Sequence, residues 1–476
     1  MALVAVAIVG IIAMAGLSID IGTLYQASAE AQRAADAGAL AAARTISISG
    51  LTGDPTNGAT DGIWADVCGG TGSPANLAAI AAAQQNTVGG TAVPTASITI
   101  NYSAGSAGGA GATSCSGAGP GFGVNPEVTV QLTQAGLPTY FSRIWGRTGS
   151  SVSATATAEA FNPSNSSAYS SGGNVIPVQP RCVKPWIVAN KDPGNPKGCS
   201  PSGPACNTFV TLPGGSITTA GILINNGGVG VVGESFNLVA DCGSSGACNY
   251  GTVPPAPYFV NPPQANGANA TALQPNLQYL PGLVQAPAVA VPSCVTQGPP
   301  YYQAAIAGCD QSTVYQCGVQ ASTANPPNYA DLTENPNGVG GDTATAAACL
   351  IHEVAGAGAD SLNVSVYPYQ IDAGGNNPLV GGTVGTNSVI TSSNSIVTLP
   401  IYDDTQPLAI NGSGQAPVTI VGFLQVFIQN VSTGDGSLAV TVMNVAGCGN
   451  TVPAGTTAYV TGTSPVPVRL ITPPAP

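Results

Sequence analysis

The chain opens on an unbroken apolar run. From Met1 to Ile19 every position is apolar or small (MALVAVAIVGIIAMAGLSI), and the first charge is Asp20. About 19 residues rising about 1.5 Å each would cross a hydrocarbon core of about 30 Å, so the run predicts a retained membrane-type helix. A cleaved signal peptide would need a basic leading segment and an apolar stretch of only about 7 to 15 residues; cutting near Ala27-Ser28-Ala29 is the alternative. Beyond Asp20 the pattern changes without a break. Ser18 to Arg44 is Ala-rich and free of proline, with Glu30, Arg33, Asp36 and Arg44 among small residues, which predicts one rod from Ala2 to about Ile46. Ala27, Ala31, Ala34, Ala35, Gly38, Ala41 and Ala42 recur at three- and four-residue spacings. Such a face lets a neighbouring backbone approach closely, although alanine is also tolerated on a solvated helix. With Leu3, Ile8, Ile12, Leu17 and Asp20, these are the candidate packing and assembly positions.

Further on, SPANLAAIAAAQQ (73–85) predicts a short helix with Ser73 as N-cap and Pro74 in the first turn. TASITINYS (95–103), EVTVQLT (127–133) and SVSATATAEA (151–160) alternate or are β-branched and predict strands. A long helix packed on one face of an antiparallel sheet follows. The Gly/Ala/Ser run 103–123 reads as a loop that a Cys68–Cys115 bridge could pin. From Asn162 the composition shifts to Pro, Asn, Gly and Ser between short apolar strands such as ITTAGILIN, SFNLVAD, VTIVGFLQVFI and LAVTVMNV, which predicts a β-sandwich-like domain. The division expected is therefore a helix over 1–48, an α+β region over 49–161, a linker over 162–174 and a β-rich domain over 175–476, giving an α+β class that is mostly β.

Charge narrows the partners. Lys and Arg number 9 against 21 Asp and Glu, a net charge of -12, too few cations for the phosphates of a nucleic-acid contact. With so few ionisable groups, stability is expected to vary little with pH and to survive acid. The chain has 63 Gly and 40 Pro yet 44% apolar residues, enough apolar material to fold. Twelve cysteines occur without a CxxC: Cys68, Cys115, Cys182, Cys199, Cys206, Cys242, Cys248, Cys294, Cys309, Cys317, Cys349 and Cys448. They read as disulfides formed outside the cytoplasm. The pairs 199/206, 242/248 and 309/317 are close enough in sequence to close short loops.

Candidate chemistry is sparse. The lone His352, followed by Glu353, does not form HExxH and leaves no Ser-His-Asp or multi-His metal scheme. Gly228, Gly230 and Gly233 match GxGxxG, but ESFNLVAD after them reads as a strand where a phosphate loop would open a helix. Asp403-Asp404 and the group Asp331, Glu334 and Asp342 could offer oxygens to Ca²⁺ but lack EF-hand spacing; solvated carboxylates are the plainer reading. No cofactor, metal or enzymatic activity is expected. Sequons stand at Asn101, Asn165, Asn269, Asn363, Asn411 and Asn430, each a possible glycosylation site.

The run GLSIDIGTLYQASAEAQRAADAGALAAA (16–43) resembles the amino-terminal signature of TadE/TadG-like proteins of the Flp pilus-assembly system. VTVQLTQAGLPTYFSRIWGRTGSSVSATATAEA (128–160) is similar to the end of that family's first region, and RCVKPWIV (181–188) and VTIVGFLQVFI (418–428) carry a weaker similarity. The resemblance implies a single-pass, pilin-like envelope protein and no enzyme. Its implied partners are copies of itself, the membrane before assembly and a pilus-type export machinery. The implied product is an extracellular filament with the helix at its core and the β regions outside; a membrane-anchored minor pilin, assembly factor or adhesin is the alternative. Three departures stand out: family members usually have basic residues before the apolar helix, so Met1 is expected to be a processed or truncated end; Ala5 stands where type IV pilins carry an early Glu; and no DxSxS adhesion motif occurs.

Overall fold

Residues Ala2–Ser47 form one continuous helix, α1, as the uninterrupted run without proline requires. The computed structural model describes residues 2–49, 62–104, 111–118, 122, 126–141, 146, 149–160, 178–180, 182–193, 208–212, 217–219, 223, 230–240, 276–310, 315, 328–334, 341–365, 369–382, 384–390, 392–405, 408–432, 436–447, 460–462, 466 and 468–471. The chain divides into two units. Met1–Ser47, Pro55–Phe161 and Val468–Pro476 make the first; Ile48–Asp54 and Asn162–Pro467 make the second. The expected linker 162–174 lies outside the described residues.

In the first unit α1 is followed by α2 (Gly62–Cys68) and α3 (Pro74–Gln84). Ser73 takes the extended N-cap backbone, but its hydroxyl turns back to the Gly70 carbonyl at 2.7 Å and caps nothing. Three strands, β1 (Ile98–Ala104), β2 (Pro126–Leu137) and β3 (Ser150–Ala160), pair antiparallel in sequence order. A fourth, Val468–Ile471, completes the sheet beside β3. The sequence assigns that stretch to the β-rich domain, and the structure corrects it: Arg469 Nε donates to Glu159 Oε1, a fully buried carboxylate that needs a cation.

One face of this sheet is built for close approach. Val128, Val130 and Leu132 on β2 stand opposite Ala158, Ala156 and Ala154 on β3. Small residues there let the Ala-rich half of α1 lie near the backbone. The predicted Cys68–Cys115 bridge is present, and beside it Trp64 and Phe122 meet edge to face at 5.0 Å between ring centres. Closing a 47-residue separation is worth about 4 kcal/mol in the chain-entropy model.

The second unit departs from the expected sandwich. Its six main strands are β4 (Trp186–Ala189), β5 (Ser235–Val239), β6 (Asn276–Pro281), β7 (Ile396–Tyr402), β8 (Ile420–Val431) and β9 (Leu438–Gly447). They close into a barrel in the order β7-β8-β9-β5-β6-β4, returning to β7. The closures β5-β6 and β4-β7 are parallel, pairings between segments far apart in sequence, and closure removes the free edges that a sandwich leaves. Two helices that the sequence pattern did not reveal, α4 (Tyr302–Ala307) and α5 (Asp342–Leu350), pack against each other. Cys309 bonds Cys182 across 127 residues, and Cys294 bonds Cys349. The expected 309/317 loop is thereby overturned, because β-pairing over long distances brings together cysteines that proximity in sequence does not. Cys199, Cys206, Cys242, Cys248, Cys317 and Cys448 lie outside the described residues.

Candidate functional site

The helix α1 has two halves of opposite character. In the first half the side chains of Val4, Ile8, Ile11, Ile12, Met14, Leu17, Ile19 and Ile21 are exposed, Ile12 by 60%. The side chain of Leu3 lies outside the described residues. By length and composition the helix is able to cross a membrane, and residues 2–19 alone extend roughly 27 Å.

The second half is covered by its own chain. Ala31, Ala34, Ala35 and Ala42 are fully buried and Ala27 nearly so. A methyl group added at Gly38 would stand 3.1 Å from the Ala79 carbonyl on α3 and 3.4 Å from Val130 on β2. Ala41 is half-buried. The small-residue face expected to receive a neighbouring subunit is therefore the face that seats α1 on its own sheet and on α3. Amphipathic spacing reports a buried face but not whose surface buries it.

The junction between the halves is a specific grip. Asp20 is 4% exposed, and its carboxylate accepts the backbone N–H of Tyr140 at 3.0 Å and that of Phe141 at 3.1 Å. A buried carboxylate is tolerable only with such partners. One turn earlier Gly16 lies under the Phe141 ring: a Cβ there would come within 2.6 Å of Cγ, so the glycine permits the approach. Gly16 and Asp20 thus share a helix face and hold the segment that follows β2. Tyr140 and, further along the helix, Tyr25 are 59% and 75% exposed, aromatic groups of the kind that settle at a membrane–water boundary.

Below the grip, Glu30 Oε2 accepts the N–H of Gly89 at 2.7 Å. Gly89 and Gly90 both have positive φ, the tight turn joining the two-residue strands Thr87–Val88 and Thr91–Ala92. A Cβ at Gly89 would also strike Leu137. Helix, hairpin and the end of β2 enclose a cleft of about 140 Å³.

The other sequence candidates fall into structural roles. Asp403 caps its own turn through the N–H of Thr405 at 2.9 Å, and Asp404 is buried in an ion pair with Lys191 at 3.1 Å. Asp331 and Asp342 stand near enough to Glu334 to add to burial in raising its pKa to about 7. Yet no group of three His, Cys, Asp or Glu side chains among the described residues could hold a metal. His352 Nε2 lies 2.9 Å from Asn394 Nδ2. Gly233 has a positive φ and leads through Glu234 into β5, a strand; Gly228 lies outside the described residues. Asn411 and Asn430 are exposed, Asn101 and Asn363 half-buried, and Asn165 and Asn269 lie outside the described residues.

The helix that carries Gly16 and Asp20 is also the segment with a recognised relationship. Residues 1–45 match the Flp pilus-assembly TadE/G-like family model. No curated protein and no solved structure matches the chain. The family match links this amino-terminal helix to a pilus-assembly system, and the apolar first half is consistent with anchoring in the cell envelope. Gly16 and Asp20 lie inside the matched residues, whereas Tyr140 and Phe141, which they grip, lie outside them.

Proposed function

We propose that the chain is a pilin-like structural subunit of a Flp-type pilus, with no catalytic role. It is held in the membrane by residues 2–19 and then enters an extracellular filament in which copies shield the same segment. The observation that supports this reading is the division of α1 at Asp20. Before it, Val4, Ile8, Ile11, Ile12, Met14, Leu17 and Ile19 are exposed; after it, Ala27, Ala31, Ala34, Ala35, Gly38 and Ala42 of the seating face are buried within the chain. An apolar surface of this size needs lipid or other apolar helices around it, and symmetric packing of identical helices supplies the second. Export machinery of the pilus type would move the subunit from one surround to the other.

The test uses the native full-length protein and a double variant, Ile8→Asp with Ile12→Asp. The native chain should fractionate with membranes and appear in uniform filaments by electron microscopy. The variant should leave the membrane fraction and fail to enter filaments while keeping its folded units, since both side chains stand clear of the sheet. Native protein found only as dispersed, detergent-dependent particles would overturn the structural-subunit reading and favour an anchored minor pilin or assembly factor. A variant that stayed in the membrane and in filaments would overturn the role of the helix altogether.

A further inference from the structure

The barrel unit contains a cavity of about 330 Å³ beside the Cys182–Cys309 disulfide, walled by Lys184, Leu350, Ser393, Asn394, Ile396 and Thr398 among others. Its size falls in the range of small-molecule sites. Lys184 is the unusual member. The residue is 5% exposed, and its Nζ donates to the Gly308 carbonyl at 2.7 Å. An ammonium carries three donors, and that carbonyl is its acceptor among the described residues. None of the described residues lining the cavity has a carboxylate. The two cysteines of the wall are disulfide-bonded, so Lys184 is its ionisable group, with His352 behind it against Asn394. Burial without a counter-charge pushes the lysine pKa down to about 7.

A position needing only packing would be filled more cheaply by an apolar side chain. We propose that the cavity is a binding site for a small organic carboxylate, whose charge is met by the Lys184 ammonium. The ligand supplies the missing anion, the ammonium has donors beyond the one given to the Gly308 carbonyl, and Leu350 and Ile396 offer apolar contacts beside the charge-assisted hydrogen bond. Binding favours the protonated lysine, so the empty site and the filled site differ in proton content.

The experiment is calorimetric titration of the full-length protein in detergent with glucuronate, using glucose as the uncharged control. Glucuronate should bind at pH 6 and glucose should not. Apparent affinity should fall by about tenfold per pH unit above 7, as expected when only the protonated site binds. At pH 8.5, buffers of different ionisation enthalpy should reveal uptake of about one proton per ligand, and at pH 6 almost none. Lys184→Met, which keeps the length of the side chain, should weaken binding by at least about tenfold, and Lys184→Arg should retain it with the pH dependence removed. Absence of glucuronate binding to the unaltered protein at pH 6 would overturn the proposal, as would equal binding of glucose or proton uptake that does not change with pH.

Discussion

Two positions one helical turn apart, Gly16 and Asp20, decide how the apolar segment leaves the folded unit. The carboxylate satisfies two backbone donors and the glycine leaves room for the ring beside them. Asp20→Ala would leave both partly buried N–H groups without this acceptor and should lower the stability of the first unit by roughly 1 kcal/mol. Asp20→Asn keeps one acceptor oxygen and should cost less. Amide hydrogen exchange at Tyr140 and Phe141 reads the difference directly: protection should drop in the order Asp, Asn, Ala. Unchanged protection in the alanine variant would mean that the grip is incidental. Gly16→Ala should also destabilise, and Phe141→Leu should relieve part of that loss. Strictly additive effects would show that the close approach is not what the glycine serves.

The elements show which parts of this architecture could be read in advance. The long helix, the short helix after Ser73 and strands β1 to β3 follow from local periodicity, and the structure places them within a few residues of expectation. Asp20 was legible as the first charge after the apolar run, but its contact with Tyr140 and Phe141 joins positions about 120 residues apart, and no spacing encodes that. The barrel was illegible for the same reason, since its closures are parallel pairings between distant strands, while α4 and α5 are too short for a periodic signal. The Ala face of α1 was visible but its partner was not. This changes what a bulky substitution tests. Ala31→Leu should overpack the contact with the sheet and cost about 1–3 kcal/mol in the isolated subunit, measurable by denaturant unfolding before any assembly. A variant as stable as the parent yet unable to assemble would return that face to the interface between subunits. Arg469 makes the matching point for the last strand: Arg469→Met should leave Glu159 buried and unpaired and destabilise by about 3 kcal/mol.

For the whole molecule, scarcity of charge suggests stability indifferent to pH, and the structure argues otherwise because several of the few ionisable groups are buried. Burial, together with a hydrogen bond and repulsion from Asp192, raises the Glu234 pKa to about 9; burial beside Asp331 and Asp342 raises Glu334 to about 7. Each holds its proton in the native state at a pH where the unfolded chain has released it, so each contribution is complete in acid and is lost as pH climbs toward the native pKa. Lys184 runs the other way. Its native pKa near 7 lies below that of the unfolded chain, so the native state sheds a proton first and stability recovers as pH rises above 7. A fully buried group contributes at most about 1.4 kcal/mol per pH unit within its window, and Glu334, being half-exposed, contributes less. Between pH 5 and 7 the buried carboxyl groups act together, Glu234 and Glu334 with Glu353 and Asp404, whose pKa values burial also raises, and the midpoint of thermal unfolding should fall. Between pH 7 and 9 Glu234 and Lys184 oppose each other, and the curve should flatten. Lys184→Met removes the opposing limb, so in that variant the decline should continue to pH 9. A midpoint that rose from pH 5 to 7, or a Lys184→Met profile with the same plateau, would show that these buried groups do not govern the stability of the barrel unit.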